Sequence, residues 1–270
     1  MSTPDVPEPD AAPLPSQPAQ PTLQDRLRTL LAPLVAAGAA VLKFGAVVVK
    51  LKFFTVGFSM LASMWAYALF YGWKFAVGFV LLILVHELGH VVVLRARGIE
   101  AGLPVFLPFL GAFVSMKSAP RTAYDEAVSG IAGPVLGTVA AFAALGLGEV
   151  YDSELLRVLA YTGFFLNLFN LLPVIPLDGG RTAAALSPKL WLAGLAGLLA
   201  YAVWRPSPVI PIILLLGGFE LYRRWKHKDS EANRAYYALT ADQRVQVGSA
   251  YLGLVAVILW AMHSYPLPPR

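Results

Sequence analysis

Five residues of this chain have the types and the spacing of a hydrolytic metal site: His86-Glu87-Leu88-Gly89-His90, set within an apolar run from Phe75 to Leu94. On a helix, residues i and i+4 share one face, so both imidazoles can reach one metal ion. Glu87 stands beside them and can act as general base toward a water on that metal. A pair of core histidines satisfied by backbone carbonyls is the plainer alternative. It leaves unexplained why three ionisable groups sit on adjacent turns of a segment apolar enough to lie in a bilayer, where each is costly.

Catalytic zinc takes three protein ligands and keeps one position open. The chain has no cysteine and four histidines. His227 lies in a basic cluster and His263 near the far end of the last apolar run, so the third ligand should be a carboxylate. Only Glu87, Asp178 and Glu220 lie in or at the edge of an apolar run. Glu220 is followed by Arg223 and Arg224 at i+3 and i+4 and is expected to pair there. Asp178 remains, in Asn170-Leu-Leu-Pro-Val-Ile-Pro-Leu-Asp-Gly-Gly-Arg181. Two prolines before it interrupt a helix and two glycines after it loosen the backbone. A plain turn capped by Asp178 is the alternative reading of that segment.

The elements that must position these residues are membrane spans. Hydrophobic residues make up 57% of the chain and charged residues 14%, and the mean hydropathy is +0.64. The expected fold class is an all-α polytopic membrane protein of about six to seven transmembrane helices with a short membrane-dipping β segment. Candidate spans are 53–72, 74–95, 125–147, 155–177, 187–204, 207–222 and 245–263. Leu103–Met116 is apolar but too short and too rich in Pro and Gly to span, which suits a strand or loop covered by protein. Residues 1–22 hold seven Pro, three acidic residues and no Lys or Arg, and are expected to be a disordered tail rather than a signal peptide. Residues 23–52 read as an amphipathic interfacial segment, 53–180 as the catalytic membrane core and 181–270 as C-terminal membrane helices.

The net charge of +5 does not indicate nucleic-acid binding, because the basic residues flank apolar runs as topology signals. They put the N-terminus and the Arg95/Arg97, Lys117/Arg121 and Arg223–Lys228 loops in the cytoplasm. A helix starting near residue 74 carries His86 about 18 Å and His90 about 24 Å along its axis. Both are then in the cytoplasmic half of a core about 30 Å thick. A straight helix from residue 155 would carry Asp178 roughly 10 Å beyond them, a difference that tilt, the proline bend or a different start must absorb.

The motif His86-Glu-Leu-Gly-His90, followed in a later span by Asn170-Leu-Leu-Pro173 and Leu177-Asp-Gly-Gly180, resembles the site-2 protease family of intramembrane zinc metalloproteases. Leu103–Lys117, with Gly111-Ala112-Phe113, is similar to that family's β segment beside the substrate cleft, and Ala132-Gly-Pro134 to a motif of its middle core helix. The resemblance covers about residues 55 to 180. It implies that His86, His90 and Asp178 bind one Zn2+ per chain, that Glu87 is the catalytic acid/base, and that Asn170 and the Gly111–Phe113 strand meet the substrate. A helix-packing amide is the other reading of Asn170. The chain departs from the family at Gly137, where many members carry Asn, and gating through a PDZ-like insert or a CBS-like module after the last span is not expected. The expected activity is hydrolysis of peptide bonds in or near the transmembrane segments of membrane-protein substrates. The expected partners are a substrate helix and the lipid bilayer. The rival function is a non-proteolytic metal-binding membrane protein, either a pseudoprotease or a transporter.

Overall fold

The computed structural model describes residues 54–187, 189–204, 209–226 and 230–267. The expected tail (1–22) and interfacial segment (23–52) lie outside the described residues, as do His227 and the prolines at 206 and 208. The described chain is helical apart from one hairpin. In order it runs α1 (Phe54–Tyr71), α2 (Trp73–Ala96), β1 (Ala101–Leu107), β2 (Gly111–Met116), α3 (Ala123–Val150), α4 (Glu154–Asn170), α5 (Asp178–Leu186), α6 (Lys189–Trp204), α7 (Val209–Lys226), α8 (Glu231–Tyr236) and α9 (Ala241–Ser264).

Among the described residues, four helices are long and apolar enough to cross a bilayer: α1, α2, α3 and α9. Half of the apolar window of α2 and of α3 is buried, against 17% in α1 and α9, so α2 and α3 form the centre. The span expected over 155–177 is shorter than the sequence suggests. Its helix α4 stops at Asn170 after 17 residues, about 26 Å of helix. The expected pair in 187–222 resolves into α6, of 16 residues, and α7, of 18 residues, the latter ending in the Glu220–Arg223 pair at 2.8 Å.

Local chemistry sets the ends of these elements. Gly72 at φ 80° breaks α1 from α2, a conformation that an L side chain rarely adopts. Helix α2 closes in a Schellman motif: Gly98, at φ 73°, donates its N–H to Arg95 O, and Ile99 donates to Leu94 O. Thr122 caps α3 by accepting from Asp125 N, with Asp125 and Glu126 in the first turn. A Thr240/Gln243 capping box opens α9.

The hairpin pairs β1 and β2 antiparallel, with Leu107 opposite Gly111 and Val105 opposite Phe113. At its open end Lys117 reaches Glu100 at 2.6 Å, and that ammonium holds the Glu100 carboxyl below its usual range. At its turn Phe109 packs edge-on against Tyr67 and Phe70 of α1. Phe106 is buried with Tyr67, Val80 and Ile83, and its N–H donates to Ser59 Oγ. The hairpin therefore climbs back along α2 from the Arg97 end and is held on α1. Among the described residues β2 pairs with β1 alone, which leaves its other edge open.

Candidate metal centre

His86 and His90 stand one turn apart on α2, and Asp178 is the first residue of α5. They are 3%, 7% and 9% exposed. His86 Nε2 lies 3.1 Å and His90 Nε2 3.2 Å from Asp178 Oδ2, and the two Nε2 atoms are 3.2 Å apart. These three near-equal edges define one face of a small polyhedron. A tetrahedral zinc with bonds of about 2.0–2.1 Å sets its ligand atoms about 3.3 Å apart, so the donor set fits that ion.

The outer nitrogens decide the tautomers. His90 Nδ1 lies 2.8 Å from Ser129 O, a carbonyl that can only accept, so His90 Nδ1 carries the proton. His86 Nδ1 lies 2.7 Å from Asn167 Oδ1. The amide of Asn167 is oriented by its Nδ2, which donates to Gly163 O at 2.8 Å, so His86 also donates from Nδ1. As neutral imidazoles, both residues then turn their Nε2 lone pairs toward the Asp178 carboxylate. In that state three acceptors converge on one point, an arrangement that suits a bound cation. His86, His90 and Asp178 are the group among the described residues that could hold a metal.

Residues 74–153 match the description of peptidase family M50. A zinc metalloprotease of Methanocaldococcus jannaschii is 33% identical over 122 residues, which are 42% of this chain and 35% of that protein. A provisionally named zinc metalloprotease of Synechocystis sp. is 32% identical over 105 residues, 37% of this chain and 27% of that protein. The matched stretch, which carries the His86–His90 motif, is similar to peptidase family M50. The chain spans about a third or less of the length of these two relatives.

Around the site, small residues bring the helices close enough for the side chains to meet. A Cβ on Gly133 would fall on the His90 ring, and one on Gly89 would fall on the Ala132 carbonyl. Gly89 and the Ala132-Gly133 pair therefore let α2 and α3 approach backbone to backbone. Pro134 cannot donate to Gly130 O and its ring crowds that carbonyl. The adjacent carbonyl, Ser129 O, is the one that holds His90.

Asp178 reaches the pair because the chain doubles back after α4. Leu171–Leu177 is non-helical, with Pro173 and Pro176 in it, and α5 begins at Asp178. This bend absorbs the 10 Å by which a straight helix would overshoot. The two glycines play a different part from the one expected. Gly179 and Gly180 lie inside α5, and a Cβ on either would strike the backbone of Leu171 or of Val174 and Ile175. They serve close packing of α5 on its own approach loop. The arrangement is tied from outside by Trp191 Nε1 to Gly180 O and Tyr251 Oη to Leu171 O, both 2.5 Å. Thr182 Oγ1 bonds Asp178 O at 3.1 Å, and Arg244 donates to Leu186 O at 2.7 Å at the other end of α5.

Glu87 is 6% exposed on the same helix, and its carboxylate accepts no hydrogen bond from the described residues. Asn170, expected at the cleft, is half-buried and donates to Leu166 O one turn back. The amide that touches His86 is that of Asn167, one turn earlier, which was not among the expected site residues. The signal was present: Asn167 and Asn170 are two amides at i and i+3 in one apolar run. Gly111, Ala112 and Phe113 lie at the start of β2, with Phe113 48% exposed.

Proposed function

We propose that the chain is an intramembrane zinc metalloprotease that hydrolyses peptide bonds within or near the transmembrane segments of other membrane proteins. The observation that carries this reading is the convergence of Asp178 on His86 and His90, with Glu87 beside them, on a helix (α2) long and apolar enough to cross a bilayer. His86, His90 and Asp178 would hold the zinc. When bound, zinc lowers the pKa of a water and polarises the scissile carbonyl. Glu87, which accepts no hydrogen bond from the described residues, takes a proton from water and delivers it to the leaving amine nitrogen.

The open edge of β2 at Gly111–Phe113 gives an unwound substrate segment a strand to pair with. Such unwinding is required, since a helical substrate keeps its amides internally bonded. Asn170 lies on the same side of α4 as Asn167, and we assign it to substrate. Six to seven spans, an N-terminus in the cytoplasm and a zinc site in the cytoplasmic half of the bilayer complete the reading, supported by the distribution of Lys and Arg.

A test uses purified chain loaded with zinc and a membrane-helix substrate. Glu87→Gln should keep one zinc and lose cleavage by about 10²-fold or more, while Asp178→Ala should lose the metal. Cleavage by Glu87→Gln at the wild-type rate would sink the assignment. A wild-type protein that binds zinc tightly and cleaves no membrane-helix substrate would favour a binding protein instead.

A further inference from the structure

Two interactions orient the histidines, and they differ in kind. His90 leans on a backbone carbonyl, whereas His86 leans on a side chain that comes from another helix. The geometry points to Asn167 as a positioning residue: its amide selects which nitrogen of His86 faces the metal and fixes the plane of the ring. The inference rests on the zinc reading above and goes beyond it.

Asn167 is 1% exposed, with Oδ1 2.7 Å from His86 Nδ1 and Nδ2 2.8 Å from Gly163 O. Turning the amide over would set Oδ1 against the Gly163 carbonyl, acceptor against acceptor, and lose the bond that Nδ2 makes there. One orientation survives, and it presents only an acceptor to His86. With that acceptor in place the proton of a neutral His86 resides on Nδ1, and Nε2 offers its lone pair beside His90 Nε2 and Asp178 Oδ2. Without it, in a site this dry, Nδ1–H has no partner. The tautomer protonated on Nε2 then gains ground, and that proton stands where the metal must bind.

The neighbouring helix has made room for this amide. A Cβ on Gly137 would fall on Asn167 Oδ1, and would lie 2.9 Å from Nδ2 and 3.0 Å from Cγ. Gly163, which accepts from the amide, packs against Ala141, with an added Cβ only 3.1 Å from the Ala141 methyl. Gly137 on α3 and Gly163 on α4 thus form a slot between two helices, and the slot is filled by one polar group aimed at one metal ligand. Metal-ligating histidines depend on partners of this kind, and losing one costs about 10–100-fold in metal affinity.

The test uses the full-length chain in lipid nanodiscs, zinc affinity by competition with a chromophoric chelator, and the visible absorption of the Co2+-exchanged protein. Asn167→Leu fills the slot without an acceptor. It should weaken zinc by about 10–100-fold and alter the Co2+ spectrum, while one zinc still binds at saturation. The double variant Asn167→Ala/Gly137→Asn returns an amide to the slot from the opposite helix and should recover affinity and spectrum. Its control, Asn167→Ala/Gly137→Leu, should recover neither, and this pair carries the comparison if Asn167→Leu does not fold. Wild-type affinity and spectrum in Asn167→Leu or in the control would overturn the inference. With His86→Ala as reference, zinc lost there but unchanged in Asn167→Leu would defeat the positioning role alone. Zinc unaffected in His86→Ala would defeat the zinc site itself.

Discussion

At the scale of single residues, the site is built as much by missing side chains as by present ones. Gly133 leaves its place to the His90 ring, Gly89 to the Ala132 carbonyl, and Gly137 to the Asn167 amide. The Gly137 position, where the family resemblance expects Asn, is therefore not a lost polar group. The space beside it holds the amide of Asn167, supplied by α4 instead of α3. Gly133→Ala should test how tightly His90 is seated. The added methyl meets a ring whose other side is held by Ser129 O, so it cannot move aside cheaply. Zinc affinity should fall by about tenfold or more, as measured by chelator competition. Unchanged affinity would mean that the helices can separate at no cost to the site.

At the scale of elements, the decisive feature is the break between α4 and α5. The apolar run over 155–177 reads as one span because hydropathy does not register where a helix ends. Pro173 and Pro176 marked a bend but not its sense, since proline removes a donor and clashes without dictating where the chain goes next. The chain returns because α5 can lie directly on Leu171–Ile175, and it can do so only with glycine at 179 and 180. Gly179→Ala sets a methyl against the Leu171 carbonyl and should destabilise the protein by about 1–3 kcal/mol. Thermal unfolding in detergent reads this loss, and zinc content should fall with it because Asp178 is the adjoining residue. A fully stable, zinc-loaded Gly179→Ala would contradict this account of the packing. The hairpin was easier to read, because Pro and Gly over 102–111 exclude a span and an uncovered loop is excluded within lipid.

At the scale of the whole molecule, orientation can be tested directly, because the chain contains no cysteine and any introduced thiol is unique. In the proposed orientation, drawn from the distribution of Lys and Arg, the α3–α4 turn lies outside and the β2–α3 loop inside. Tyr151→Cys should react with a membrane-impermeant maleimide in intact cells. Ser118→Cys should react only after the membrane is opened. The reverse pattern would invert the topology and move the zinc site to the outer half of the bilayer. The C-terminal elements pack on the helices that carry the site. Tyr251 of α9 holds Leu171 O, Arg244 holds the end of α5, and Tyr236 of α8 bonds Glu126 at the start of α3.

The sequence alone determined what is local. His86 and His90 face the same way because a helix repeats every 3.6 residues, Glu87 stands beside them by adjacency, and the apolar runs declare their solvent by composition. It also narrowed the third ligand to a carboxylate of one segment, because so few acidic groups lie among the apolar runs. The tertiary structure alone decided what depends on chains far apart in sequence: that Asn167 rather than Asn170 reaches His86, that Ser129 O holds His90, and that the loop after α4 folds back to deliver Asp178. These contacts join residues 39 to 92 positions apart. No periodicity encodes which of two amides on one helix face meets a neighbouring helix. That is settled by how closely the backbones pack, and here glycines opposite one another set that distance.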